Sequence, residues 1–167
     1  PRVIVRSSEI LAGQENTALI QADMREPDKV LDHPETRRLI DFTEPVGLLA
    51  VAVIHFVPDS DDPWGFIARY LDRLAPGSYL ALSSITGDHQ APRITEGLVK
   101  ATVASPTPAV PRSREEIERF FAGLEIVPPY EGADPAVTYV GLWGAEDPEA
   151  ADDDGSRLAY AAVGRKP

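Results

Sequence analysis

Val46-Gly-Leu-Leu-Ala-Val-Ala-Val-Ile54 is the stretch on which the fold turns. Its nine residues are apolar, show no polar alternation and are rich in valine. That pattern predicts a strand buried on both faces, as in a parallel sheet covered by helices. A buried helix is the competing reading, and Gly47 and the valine content weigh against it. Just beyond, Asp62 before Pro63 marks a helix start, an N-cap side chain followed by proline at the first position. Ile67, Tyr70, Leu71 and Leu74 then recur at the spacing of one helix face. Ala75-Pro-Gly77 ends this helix, and Ser78-Tyr-Leu-Ala-Leu-Ser-Ser84 predicts the next strand.

Toward the N-terminus, Ala18-Leu-Ile-Gln-Ala22 predicts a compact strand broken by Asp23-Met-Arg-Glu-Pro27. Short helices are expected between Asp28 and Asp41, interrupted at His33-Pro34, with Pro34 as a first helical residue. Pro1-Arg-Val-Ile-Val5 reads as a strand, and residues 6–12 as a short helix stopped by Gly13. Toward the C-terminus, an amphipathic helix is expected from Ile94 to Val103, then a stiff proline-rich connector from Ser105 to Pro111. Ser113-Arg-Glu-Glu116 is a capping box, with Ile117, Phe120 and Phe121 as the apolar face behind it. Short strands are expected at Leu124–Val127 and Val137–Val140, a solvated acidic loop at Glu146–Asp154, and a last strand at Arg157–Val163. Strands alternating with helices predict an α/β doubly wound sheet.

Composition narrows the function classes. The 167 residues amount to about one domain, and 43% hydrophobic with 26% charged residues excludes a disordered chain, a collagen-like repeat and a coiled coil. With 27 acidic against 16 basic residues the net charge is −11, a field that repels nucleic acid and anionic membrane surfaces. Cysteine is absent, which excludes disulfides, thiolate zinc sites and a cysteine nucleophile and fits a cytoplasmic protein. The opening residues read as a strand, with no sign of a secretory signal in the sequence as given, and no apolar run approaches the ~18–20 residues of a membrane span.

In an open parallel sheet, ligands bind beyond the carboxyl ends of the strands, here Asp23-Met24, His55-Phe56 and Ser84-Ile-Thr-Gly-Asp88. Around these ends a series of motifs runs in one order: Gln21-Ala-Asp-Met-Arg-Glu-Pro27, Val53-Ile-His-Phe-Val-Pro-Asp59, Asp61-Asp-Pro63, Pro76-Gly-Ser-Tyr79, Arg112-Ser-Arg-Glu-Glu116 and Val163-Gly-Arg-Lys-Pro167. Each motif is weak alone. Together they resemble an actinobacterial family of S-adenosyl methyltransferases, of the class I type, from residue 6 onward.

The resemblance implies a Rossmann-like, doubly wound, mostly parallel sheet that binds S-adenosyl-L-methionine, and the expected activity is methylation of a small molecule. It also implies that N-terminal helices, a first strand and a glycine-rich turn would precede Pro1. A further stretch, carrying the acid that grips the ribose hydroxyls, would fall between Val5 and Arg6. Residues 1–167 would then form one partial methyltransferase domain. Two other functions stay open: a non-catalytic or regulatory protein that binds the same cofactor, and a nucleotide-dependent enzyme of similar architecture, such as a dehydrogenase.

The expected cofactor site is Asp23, Met24, Ala50, Ala52 and His55. Asp23 would accept a hydrogen bond from the adenine amino group, and Met24 would offer its backbone N–H and a flexible apolar side chain. A turn aspartate capping the next helix is the plain alternative. Ala50 and Ala52 are small enough for the strand backbone to approach the cofactor's amino-acid end, or are simple core packing. His55, with a reference pKa near ~6.5, is a candidate base for the attacking group or a residue that shapes the pocket. Methyl transfer is an in-line displacement, so positioning can supply most of the rate.

The remaining candidates read as structure. His33 before Pro34 is a cap or surface residue, and His89 after Asp88 is a loop residue or a substrate contact. The three histidines show no metal-ligand spacing, and Leu82-Ser-Ser-Ile85 lacks the glycines of a nucleophile elbow. Asp59-Ser-Asp-Asp62 and Asp152-Asp-Asp154 are helix-start charge and a solvated loop. The helix at 94–103 with its proline-rich exit is either part of a lid or an ordinary covering helix.

Overall fold

A computed structural model describes residues 11, 13–88, 96, 97, 100, 102 and 107–167. The expected strand at 1–5, nearly all of the helix at 6–12, His89 and most of the helix at 94–103 lie outside the described residues. Two short helices open the described chain, α1 (Pro27–Leu31) and α2 (Pro34–Leu39), each with proline in its first turn. The His33 ring caps α2, its Nδ1 accepting the Glu35 N–H at 3.2 Å. Strand β1 (Gly47–Val51) leads to α3 (Pro63–Asp72) and on to β2 (Tyr79–Ile85), a parallel βαβ unit that pairs Leu48 with Leu80 and Ala50 with Leu82. The rest comprises α4 (Arg114–Glu118), β3 (Glu125–Ile126), β4 (Thr138–Tyr139), α5 (Pro148–Ala151) and β5 (Ala159–Arg165). Among the described residues no helix is long and apolar enough to cross a membrane.

Helix α3 forms as its sequence predicts. The Asp62 side chain accepts the Gly65 N–H at 3.0 Å, and Pro63 follows at the first position. A side chain at residue 65 would place its Cβ 2.0 Å from the Asp62 carboxylate, so glycine there is what lets the cap close. The helix buries Ile67, Tyr70 and Leu71, as their spacing requires, and also Phe66. At its far end the Lys166 ammonium donates to the Leu71 and Leu74 carbonyls, both at 2.8 Å, placing a cation at the negative end of the helix. Both halves of the capping box at Ser113 are present, and a 3₁₀ turn at Arg119–Phe121 carries Phe120 and Phe121 into the core.

These helices cover the sheet face that carries Leu80, Leu82, Tyr160 and Ala162, and all four are buried. Gly164 sits on that face because a Cβ there would meet Phe121 at 2.8 Å and Leu124 at 3.0 Å. The Trp64 indole donates to the Glu116 carbonyl at 2.9 Å and stacks on Phe120, tying α3 to α4.

The structure corrects four expectations. The sheet is not mostly parallel among the described residues: β1 pairs β2 parallel, while β2, β3 and β4 each pair β5 antiparallel. The cause is the path of the chain. It returns to the carboxyl end of β2, where Ala159 faces Ile85, and can only run back alongside it. The nine-residue strand is five residues long, and it is not buried on both faces. Ala50 is buried but Leu49 is 71% and Val51 53% exposed, and among the described residues β1 has a single strand neighbour, β2. Residues 18–22 form no strand, having no ladder partner among the described residues. The acidic loop at 146–154 contains the helical turn α5, capped by Asp147 through the Ala150 N–H.

Candidate functional site

Strand β1 ends abruptly. Ala52 takes a left-handed backbone (φ 54°), unusual for a residue with a Cβ, and its N–H donates to the Ser83 hydroxyl at 3.0 Å and the Ser83 carbonyl at 3.2 Å. The chain then makes a 3₁₀ turn at Ile54–Phe56 and runs outward to Asp59. This turn, the extended segment 21–25 and the proline-rich connector 107–110 converge on a cavity of about 840 Å³. Its walls are Gln21 to Arg25 on one side, Phe56, Val57, Pro58 and Asp61 on the second, and Thr107, Pro108 and Val110 on the third. Size and mixed lining suit a small organic ligand.

One fully buried cation holds the wall in place. Arg112 is 1% exposed, and its guanidinium donates to the carbonyls of Ile54 at 3.1 Å and Val57 at 2.6 Å and to the Asp59 carboxylate at 2.7 Å. Its own backbone N–H donates to Ile85 at 3.1 Å, and the Val110 N–H donates to the His55 carbonyl at 2.7 Å. The connector is thereby stitched across the carboxyl ends of β1 and β2, which fixes it as the third wall.

The polar side of the cavity is an ion-pair chain. Asp23 Oδ1 accepts the backbone N–H and Nε–H of Arg25, both at 2.9 Å, and Oδ2 accepts its Nη2–H at 2.6 Å. Arg25 Nη1 donates onward to Asp61 at 2.5 Å. The Arg25 side chain, and then its backbone N–H, pull the Asp23 carboxyl down to about 2, so it is ionised and acts only as an acceptor at neutral pH.

The residues expected from the sequence fall in different places. Asp23 and Met24 line the main cavity. Ala50 and Met24 line a neighbouring apolar cavity of about 240 Å³ against Ile67 and Tyr70. Ala52 lines neither cavity and acts through its turn. His55 is 7% exposed and stands behind the wall, its ring 4.4 Å from that of Phe56, which faces the cavity instead. Its Nδ1 has no hydrogen-bond partner among the described residues. Burial first, and then the nearby Arg112 charge, push its pKa down, so the imidazole is neutral at pH 7. Sequence reasoning placed Phe56 at a ligand-binding strand end but missed the site roles of Arg25, Asp61 and Arg112. Arg25 carries a usable signal, a cation two residues from the key carboxylate, but a buried Arg112 is not visible in any pattern. Among the described residues no group of three or more histidines and acids comes together to hold a metal.

An S-adenosyl group can be tested against these residues. An anionic acceptor beside a flexible apolar Met24, facing the apolar Phe56, Val57 and Val110, fits an adenine ring and its amino group.

Comparison with known proteins gives the family. The profile of the S-adenosyl methyltransferase family matches residues 1–167. A DUF574 family protein from Streptomyces avermitilis is 35% identical with a TM-score of 0.85, covering 99% of this chain and 62% of its own. A candidate methyltransferase from Thermobifida fusca is 34% identical with a TM-score of 0.84, covering 99% of this chain and 60% of its own. The chain therefore spans about three fifths of the length of these two relatives. The N-methyltransferase NodS from Bradyrhizobium japonicum, solved with S-adenosyl-L-homocysteine, shares the fold at 14% identity and a TM-score of 0.56, covering 100% of this chain and 63% of its own. A search of curated proteins returns no match. With its whole length matched by the family profile and two solved relatives sharing a third of its residues, the chain belongs to the S-adenosyl methyltransferase family.

Proposed function

We propose that the cavity between Asp23, Phe56 and Val110 receives the adenine end of S-adenosyl-L-methionine, in an enzyme that methylates a small molecule. The observation that carries this reading is the ionised Asp23 carboxylate on a cavity of suitable size in a chain of this family. When bound, the cofactor supplies a sulfonium methyl group that passes in line to an acceptor lone pair, leaving a thioether. Asp23 accepts from the adenine amino group, and Met24 and Phe56 flank the ring. Arg112 keeps the 54–59 turn in register so that the wall does not shift with each ligand. His55, neutral and behind Phe56, supports that wall in this scheme. A net charge of −11 favours a small-molecule acceptor over nucleic acid.

Calorimetry with S-adenosylmethionine, S-adenosylhomocysteine and NAD tests the reading. The first two should bind and NAD should not, and Asp23→Ala should weaken binding by roughly 1–3 kcal/mol, about 5- to 150-fold. Binding of NAD alone, or unchanged titration of the alanine variant, would remove the assignment. Methyl transfer to a panel of small acceptors then tests catalysis.

A further inference from the structure

The acceptor directions of Asp23 are already engaged within the chain. A carboxylate offers about four acceptor positions. Oδ1 takes the backbone N–H and Nε–H of Arg25, each at 2.9 Å, and Oδ2 takes Nη2–H at 2.6 Å and shares Nε–H at 3.1 Å. A ligand amino group approaching Asp23 therefore competes with a guanidinium rather than with water. The same guanidinium has a second anchor, since Nη1 donates to Asp61 at 2.5 Å on the opposite wall of the same cavity. Its backbone is held independently by Arg69, whose Nη2 donates to the Arg25 carbonyl at 3.3 Å, so the side chain can swing while the main chain stays.

Taking the adenosyl reading of the cavity as its basis, we propose that Arg25 is a built-in competitor for Asp23 that the adenine amino group displaces onto Asp61. Arg25 thereby lowers the affinity of the site and sets its response to salt. In the bound form Asp61 is the sole carboxylate partner of Arg25, and Asp23 is free to accept from the ligand. Arg25 and Asp23 are both part-exposed, so salt screens their attraction, and the competition weakens as ionic strength rises.

The test is calorimetry of S-adenosylhomocysteine, a zwitterion without net charge, against the full chain as wild type, Arg25→Gln, Asp61→Asn and the double variant. Each is measured at about 0.05 M and about 0.5 M salt, where the screening length falls from over ~10 Å to under ~5 Å. Arg25→Gln should bind roughly 2- to 5-fold tighter, the range of a part-exposed ion pair. Asp61→Asn should bind about 3-fold weaker, and that loss should vanish in the Arg25→Gln background, because Asp61 acts only by receiving Arg25. Wild-type affinity should rise with salt while that of Arg25→Gln stays flat. Equal or weaker binding by Arg25→Gln, or an Asp61→Asn loss that persists in the double variant, overturns the competitor role and leaves the adenosyl reading standing. Absence of binding by all four proteins overturns the adenosyl reading and the competitor role with it.

Discussion

Replacing Arg112 by Met removes a buried guanidinium while keeping a side chain of similar length. The Val57 carbonyl loses the donor at 2.6 Å and is left buried, a cost of about 1–3 kcal/mol. The Ile54 carbonyl loses one partner but keeps the Val57 N–H at 3.1 Å, so it adds little. Asp59, whose side chain is half exposed, returns to water and contributes about 0–1 kcal/mol. Against this, the variant no longer buries a charge, which recovers part of the several kcal/mol that desolvation of an ion costs. The balance is a destabilisation of about 2 kcal/mol, below the 3–5 kcal/mol typical of breaking a buried pair, because the surviving carboxylate is not itself buried. Urea unfolding should show it directly, and at about 2–4 °C per kcal/mol the midpoint of thermal unfolding should fall by about 4–8 °C. Arg165→Met, which removes the exposed pair with Glu125, serves as the comparison and should change stability by less than about 1 kcal/mol. A variant as stable as wild type, or more stable, would refute the argument, showing that the wall at Ile54–Asp59 does not depend on Arg112.

Two further outcomes follow from local chemistry. His55 has its pKa lowered by burial, so the unfolded chain binds its proton first as pH falls, and stability should decline below about pH 6.5 by up to about 1.4 kcal/mol per pH unit. His55→Asn should flatten that slope between pH 5 and 6.5 in equilibrium unfolding, and an unchanged slope would place the titrating group elsewhere. Ser113→Ala breaks one half of the capping box and should cost about 1 kcal/mol in the same assay, whereas a change near zero would show that α4 is held by Phe120 and Phe121 packing alone.

What the sequence made legible were features whose cause lies within a few residues. Asp62-Pro63, the Ser113–Glu116 box and the Ile67-Tyr70-Leu71 stripe each encode a local hydrogen bond or a helix face, and each stands where expected. What failed depends on partners far along the chain. The stretch from Ala18 to Ala22 has the composition of a strand but no neighbour to pair with among the described residues, and composition carries no information about neighbours. The apolar run at 46–54 indicates its environment only on the assumption that both faces are covered. The same distinction holds at the site. Asp23 and Met24 were legible through their place in a motif series, whereas the seat of His55 behind Phe56 and the engagement of Asp23 by Arg25 depend on side-chain geometry.

The outward side of β1 has a further consequence for handling the chain. Among the described residues, the backbone N–H and C=O groups along one edge of β1 have no strand neighbour, and with Leu49, Val51 and Tyr79 facing solvent nearby they form a surface on which another strand can add. What opposes this between two copies is long-range repulsion, since each molecule carries a net charge of −11. Colloidal stability of the chain is thus a matter of charge more than of architecture. It should be greatest in neutral, low-salt solution. It fades as added salt shortens the reach of that repulsion, or as acid brings the chain toward its isoelectric point near 4.6.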